Sequence, residues 1–232
     1  MKYPIESEEK RTINRITFRQ SLNDFLNAFN VERGLIYTLR NLFTNPGELI
    51  RNYLGEGRYK VVNPFRLLIL TTAVSLLVMY ISDFQAVFNE MEEGFSKGFD
   101  KSETGYINEI MFDWYNLLLW ISIPIFALCT FLLNRKSQYN YAENLVLQAF
   151  YFSGINLLMT ILMPLNWVID NGVVFLIVFV PSIAFYFYLI SSFYQRKGVL
   201  FLIKNILGYL LAYLIYSVVL TAILGLLILN TN

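Results

Sequence analysis

Long apolar segments separated by short polar connections fill most of the chain after residue 64. A helix of about 18 or more apolar residues is long enough to cross the hydrocarbon core of a bilayer, which is about 30 Å thick. Pro124, Pro164 and Pro181 fall inside such segments, where neighbouring helices tolerate a kink. The pattern therefore predicts an all-α integral membrane protein with five transmembrane helices, at residues 65–81, 114–133, 144–169, 173–194 and 202–229.

Basic residues are concentrated in alternate connections. They lie before the first span, after the second and after the fourth, whereas the loop 83–113 is mainly acidic and only Asp170 follows the third span. Lys and Arg accumulate in cytoplasmic loops. We therefore predict a protein of the cytoplasmic (inner) membrane with a cytoplasmic N-terminal region (1–63), a membrane domain (64–232), an external acidic loop and an external C-terminus.

Apolar residues also recur with helical spacing outside the spans. One stripe in the N-terminal region comprises Phe18, Leu22, Phe25, Leu26, Phe29 and, after Gly34, Leu35, Leu39 and Leu42. Such amphipathic helices suit a lipid surface or a partner, but they also pack on a protein's own bundle, and we favour the latter here. Phenylalanines spaced through residues 84–99 predict a second interfacial helix in the external loop, with a flexible acidic loop as the alternative.

The phrase NPGELIRNYLGEGRYKVVNPFR at residues 45–66 joins these two regions. Asn45 and Pro46 suit the start of a helix, and Gly55 or Gly57 suits a left-handed C-cap. The G-E-G-R turn lacks the third glycine and the following helix of a dinucleotide-binding loop, so we predict a surface helix leading into the bilayer. Four basic side chains would then contact anionic lipid headgroups: Arg51, Arg58, Lys60 and Arg66.

Polar side chains form a stripe along the third span, namely Asn144, Gln148, Asn156 and Thr160. Such a stripe either lines a solute path or joins helices by hydrogen bonds, and we favour the second role. Tyr209, Tyr213 and Tyr216 on the fifth span are candidate partners for these amides. Near the predicted cytoplasmic ends of the third and fifth spans, Glu143 and Lys204 are predicted to form an ion pair.

Composition narrows the possible chemistry. The chain contains no His and a single Cys, Cys129, which excludes histidine acid–base catalysis, the usual zinc ligand sets and an intramolecular disulfide. Its net charge of +1 is not the basic excess of a nucleic-acid-binding protein. Hydrolase, zinc-protease and P-loop motifs are absent from the sequence. We expect no catalytic residue, cofactor, metal or nucleic-acid partner.

A set of positions between residues 34 and 66 carries a family resemblance: Gly34, Thr38, Leu42, Pro46, Gly47, Ile50, Tyr53, Arg58 and Pro64. With them the chain resembles a family of bacterial multi-pass membrane proteins, the domain of unknown function numbered 3667. Glu56 and Gly57 depart from the family's turn, and the sequence lacks the Cys-rich segment with which many relatives begin. The resemblance implies a membrane protein without assigned chemistry. The five-span topology is also similar to that of Yip-type proteins.

Two functions follow as alternatives. The first is a non-enzymatic scaffold or accessory subunit, which assembles with itself or with a membrane complex through its N-terminal helices. The second is a small transporter or channel that uses the polar face of the third span. We favour the first because no charged residue lies near the centre of any predicted span, whereas intramembrane charge typically marks ion and proton pathways.

Overall fold

The computed structural model describes residues 34–82, 115–169 and 171–231. Every regular element in these ranges is helical. The predicted stripe at residues 18–29 and the predicted external loop lie outside the described residues. The described elements are α1 (Ile36–Thr44), α2 (Pro46–Leu54), a 3₁₀ helix (Glu56–Lys60), α3 (Pro64–Ile81), α4 (Tyr115–Leu133), α5 (Tyr141–Leu162), a second 3₁₀ helix (Met163–Trp167), α6 (Asn171–Tyr194) and α7 (Val199–Thr231).

Helix α1 packs its apolar stripe on the body of the protein. Leu42 is completely buried, and Leu35 and Leu39 are partly buried against the same core cluster. The opposite face is open, as the 74 % exposure of Ile36 shows. For this part of the N-terminal stripe, the favoured interpretation of packing within the protein agrees with the structure.

The glycine turn after α2 continues as a 3₁₀ helix. Gly55 ends α2 with φ −110° and ψ −150°, and no glycine of the described residues has a positive φ. The predicted left-handed cap at Gly55 or Gly57 is therefore wrong. Thr38 holds the chain beyond the turn, because its hydroxyl oxygen accepts a hydrogen bond from the Val62 backbone N–H at 3.0 Å.

Helix α3 begins where an Asn-Pro pair satisfies the needs of a helix N-terminus. The Asn63 side-chain oxygen accepts hydrogen bonds from two backbone N–H groups of the first turn, at 3.0 and 3.3 Å. Pro64 occupies the first helical position, where its missing N–H costs nothing. Helix α2 also begins at the predicted proline, but there the Asn45 side chain makes no capping hydrogen bond.

Helix α5 is the centre of the bundle. It packs against α3, α4 and α6, while α7 packs mainly against α4. Its start is fixed by a capping box, in which the side chains of Asn140 and Glu143 each accept a hydrogen bond from the other's backbone N–H, at 3.0 and 2.7 Å. Leu147, Ala149 and Phe150 are fully buried in its middle.

Pro164 ends α5 instead of kinking it. The sequence predicted one helix from 144 to 169, but the α-helix stops at Leu162 and tightens into the 3₁₀ helix. A proline ring removes a backbone donor and clashes with the carbonyl one turn earlier, which explains the change. Pro124 and Pro181 remain inside α4 and α6, as predicted.

Four helical segments of the described chain are long and apolar enough to cross a membrane: Glu56–Ile81, Tyr141–Trp167, Leu176–Tyr194 and Val199–Ile223. A shorter apolar helix covers Leu118–Leu133. Helical structure thus occupies each of the five segments that the apolar pattern selected, and the lengths indicate a membrane protein.

Candidate functional site

The polar stripe of α5 is buried between helices. Asn144 and Gln148 have no exposed surface. The hydroxyl of Tyr194, at the end of α6, donates to Asn144 Oδ1 at 2.6 Å. Gln148 donates from Nε2 to Thr130 Oγ1 on α4 at 2.9 Å. Consecutive amides of the stripe therefore bond to two different neighbours of α5.

The third amide reaches a third helix. Asn156 is fully buried and donates from Nδ2 to Thr72 Oγ1 on α3 at 2.8 Å. Thr160 donates its hydroxyl hydrogen to the Asn156 backbone oxygen at 2.7 Å, within α5 itself. The stripe thus divides into amides that join helices and a threonine that bonds to its own helix.

Some hydrogen-bonding capacity remains in this interface. Gln148 Oε1, Asn156 Oδ1 and the Ser75 hydroxyl oxygen are buried without a hydrogen-bond partner in the protein. Unpaired buried oxygens are costly, and a buried water commonly satisfies such groups. The hydrogen bonds of the three amides therefore join α5 to its neighbours, while these three oxygens are polar atoms inside the bundle that the described residues do not satisfy.

A tyrosine cluster lies beside the amides. The hydroxyls of Tyr151 on α5 and Tyr209 on α7 are 3.4 Å apart, and the Tyr186 hydroxyl lies 3.3 Å from Thr130 Oγ1. Tyr209 thus contacts a tyrosine and not an amide of α5. Tyr213, another candidate partner for these amides in the sequence, is 57 % exposed. The interior here is aromatic, with polar contacts at its hydroxyls.

Arg51 clamps α2 to the C-terminal end of α6. One of its guanidinium nitrogens, Nη1, donates to the backbone oxygens of Ser192 and Phe193 at 2.7 and 3.0 Å. The last carbonyls of a helix lack partners within the helix and carry the negative end of its dipole, so a guanidinium is a favourable cap. Arg51 therefore makes a contact within the protein, and its predicted headgroup contact stays a prediction.

Gly47 allows this clamp to form. Its backbone N–H donates to Ser192 Oγ at 3.1 Å. A Cβ atom at this position would lie 2.2 Å from the Ser192 carbonyl carbon and oxygen, a distance that real Cβ atoms essentially never show. Only glycine fits between the two helix ends without displacing one of them.

A basic pocket of about 230 Å³ lies where the 3₁₀ turn leads into α3. Arg58 donates from Nη2 to the Tyr53 hydroxyl at 3.2 Å, and its guanidinium carbon lies 4.9 Å from the centre of the Tyr53 ring. Lys60, outside the lining, has its ammonium 5.3 Å from the Tyr59 ring centre. The pocket is lined by Tyr53, Arg58, Tyr59, Val61, Val62, Asn63 and Arg66. Two of the four predicted headgroup residues therefore share one pocket.

The predicted ion pair of Glu143 and Lys204 is not among the contacts of the described residues, and it stays a prediction. The Glu143 carboxylate instead accepts the capping hydrogen bond from the Asn140 N–H. Lys204 is exposed on α7. The described residues also contain no group of three or more His, Cys, Asp or Glu side chains that could hold a metal ion, and Cys129 is buried.

Several contributors to the interior were not singled out from the sequence. Thr72 and Thr130 accept hydrogen bonds from two amide side chains of α5. Asn134 donates to Asn205 Oδ1 at 3.1 Å, between α4 and α7. The available signal was a polar residue inside an apolar run, because such a residue needs a hydrogen-bond partner away from water. That signal does not name the partner.

Comparisons with known proteins bear on the N-terminal part of the structure. Curated proteins and solved structures give no match to this chain. The likeness to Yip-type proteins and the bacterial origin therefore stay predictions. Residues 32–76, which include α1, α2 and most of α3, match the model of a family described as "Protein of unknown function (DUF3667)", and this match confirms the resemblance that residues 34–66 predicted.

Proposed function

We propose that the protein is a non-enzymatic multi-pass membrane protein that acts by assembly, as a scaffold or accessory subunit of a cytoplasmic-membrane complex. The observation that carries this proposal is the use of the polar stripe of α5. Its three buried amides form hydrogen bonds to α6, α4 and α3: Asn144 accepts one, and Gln148 and Asn156 each donate one. Hydrogen bonds between helices stabilise a fixed bundle, whereas a solute path needs polar groups that face an open passage.

Most of the polar atoms in the stripe take part in a hydrogen bond. Asn144 accepts its bond from the Tyr194 hydroxyl, while Gln148 and Asn156 donate theirs to threonines of neighbouring helices. Each bond of this kind contributes about 0.6 kcal/mol on average in a membrane protein. These contacts support a structural role for the stripe and, with it, the assembly proposal.

The proposal includes five membrane-spanning helices, α3 to α7. Helix α4 has 19 residues, which at about 1.5 Å per residue nearly match a hydrocarbon core of about 30 Å. The basic connections after α4 and α6 and the basic turn before α3 then lie on one side of the membrane. The contact of Arg51 with the end of α6 supports this common side. We assign that side to the cytoplasm because of its Lys and Arg content.

Labelling of single cysteines tests this topology. Cys129 is the only native cysteine, so Cys129→Ala gives a background without thiols. Lys197 and Val168 are exposed in the connections that precede α7 and α6. In intact cells, a thiol reagent that does not cross membranes is expected to label Val168→Cys and to spare Lys197→Cys. Labelling of both positions, or the reverse pattern, would contradict the proposed topology.

The outer surface of α7 supports an assembly role. Of the four long apolar segments, the one in α7 is the least buried within the chain. Leu214 is 61 % exposed there, and Leu176 on α6 has a similar exposure of 58 %. If α7 carries the subunit contact, Leu214→Trp is expected to abolish copurification of a partner at fixed stoichiometry in mild detergent, and Leu176→Trp is expected to preserve it. Equal effects of both substitutions would argue against α7 as the contact.

The transporter alternative is favoured by one observation, the unpartnered oxygens of Gln148 and Asn156 inside the bundle. Reconstitution into liposomes tests it against the assembly proposal. We expect no solute or ion flux above that of vesicles without protein. Reproducible flux that is lost in Gln148→Leu or Asn156→Leu would refute the assembly proposal and establish a path along α5.

A further inference from the structure

The basic pocket at the start of α3 is lined by groups that donate hydrogen bonds. Two of the lining residues, Arg58 and Arg66, carry a guanidinium group. The Tyr53 hydroxyl accepts a hydrogen bond from Arg58, so its own hydrogen is directed elsewhere. Asn63 uses its side-chain oxygen to cap α3, which leaves its Nδ2 group as a donor. Phosphate oxygens accept hydrogen bonds only, so this set of donors suits a phosphate.

Charge favours the same ligand. Of the described residues that line the pocket, two are arginines and none is acidic. The Tyr53 ring lies under the Arg58 guanidinium, 4.9 Å from its carbon, and holds it at the pocket. Arginine presents a planar fork of donors that matches a phosphate group. The pocket is thus arranged for an anion before any ligand arrives.

The position of the pocket favours a lipid headgroup as the source of that anion. Arg66 lies in the first turn of α3, the helix that enters the proposed bilayer. Tyr59, which lines the pocket, is 80 % exposed. Tyrosine side chains are enriched at the level of lipid headgroups. The pocket therefore lies at the depth where a headgroup phosphate is found.

We propose that the pocket formed by Tyr53, Arg58, Asn63 and Arg66 binds the phosphate of an anionic lipid headgroup. The proposal rests on the proposed placement of α3 in the membrane. It separates the four basic residues that the sequence grouped together. Arg58 and Arg66 bind the phosphate, Lys60 lies outside the lining, and Arg51 clamps α6.

Lipid binding to the purified full chain in detergent tests the pocket. Native mass spectrometry measures the affinity for phosphatidylglycerol and for phosphatidylcholine. We expect a preference for phosphatidylglycerol that Arg58→Ala with Arg66→Ala lowers by about 10-fold or more, since one lost hydrogen bond to a charged group already corresponds to about 10-fold. Arg135→Ala with Lys197→Ala is the matched control, because it removes two exposed charges outside the pocket. It is expected to lower the affinity by less than about 3-fold.

Three outcomes would overturn the proposal. They are the absence of a preference for phosphatidylglycerol, equal losses in the two double variants, and displacement of the lipid by an equal concentration of inorganic phosphate, which would indicate a site for a soluble anion. Cysteine labelling keeps this result separate from the proposed function. A missing lipid preference with the expected labelling of Val168→Cys and Lys197→Cys refutes the pocket alone, whereas a wrong labelling pattern refutes the topology.

Discussion

Substitution of Gly47 by alanine tests the close contact between α2 and α6. The new Cβ atom would lie 2.2 Å from the Ser192 carbonyl carbon and oxygen and 2.5 Å from the Phe193 nitrogen, where ordinary contacts are 3.4–4 Å. These atoms belong to the backbone of α6 and cannot rotate away. Helix α2 must therefore retreat by about 1 Å, as overpacked positions generally force a backbone shift.

The retreat of α2 determines how much free energy of unfolding is lost. It would stretch the hydrogen bonds from Arg51 to the Ser192 and Phe193 oxygens, now 2.7 and 3.0 Å, beyond bonding distance. Hydrogen bonds to charged groups contribute about 1.5–3 kcal/mol each, and the lower value applies because Arg51 is only half-buried. Loss of the bond from the Gly47 N–H adds about 1 kcal/mol, and the higher helix propensity of alanine returns about 1 kcal/mol. The expected loss in the free energy of unfolding is about 3 kcal/mol.

Equilibrium unfolding in mixed micelles of a mild detergent and dodecyl sulfate measures this loss, with the reactivity of the buried Cys129 thiol as the signal. Two glycine substitutions serve as controls. Gly198→Ala places a Cβ in open space and should change stability by less than about 0.5 kcal/mol. Gly208→Ala meets only the end of the flexible Leu133 side chain, which can move, so we expect a change within about 1 kcal/mol.

A Gly47→Ala protein as stable as the Gly208→Ala protein would refute this argument. A double variant adds a second check. Because Gly47→Ala already breaks the bonds of Arg51, adding Arg51→Ala should cost much less than it costs alone. Additive losses would mean that the arginine clamp survives the substitution and that the two helices do not need glycine at their contact.

Two further predictions concern α5. Asn156→Leu and Thr72→Val should each lower the free energy of unfolding by about 1 kcal/mol, and a double-mutant cycle should give a coupling of about 0.6 kcal/mol, whereas zero coupling would contradict the hydrogen bond between them. Glu143→Ala should lose about 1 kcal/mol through the capping box. If the predicted ion pair with Lys204 forms, the double variant Glu143→Ala with Lys204→Ala should lose less stability than the sum of the single variants, whereas additive losses would contradict the pair.

The sequence predicted those features that depend on local pattern. The bounds of the apolar segments located α3 to α7 within about three residues, except that α5 ends at Leu162 and not at residue 169, because burial in lipid demands a minimum length of apolar helix. The start of α2 at Pro46 followed from the conformational preference of proline. The polar stripe of α5 was also recognisable, since buried amides must find partners.

Features that depend on distant contacts were not predictable. The N–H of Gly47 donates to a residue 145 positions further along the chain, and nothing near Gly47 or Arg51 in the sequence names that partner. Arg51 therefore looked like any other basic residue beside a membrane helix. The predicted conformation of Gly55 was wrong for a similar reason, because a distant residue, Thr38, holds the chain that follows the turn.

The clamp and the basic pocket together give a structural role to the segment that matches the family of unknown function. At one end of the segment, Gly47 and Arg51 fix α2 on the end of α6. At the other, Asn63 fixes the start of α3. Tyr53 and Arg58 lie between these fixed points and form the wall of the pocket. The geometry of the pocket therefore depends on the docking of α2 on α6, and a headgroup phosphate bound there would stabilise the same arrangement of helix ends that the clamp holds.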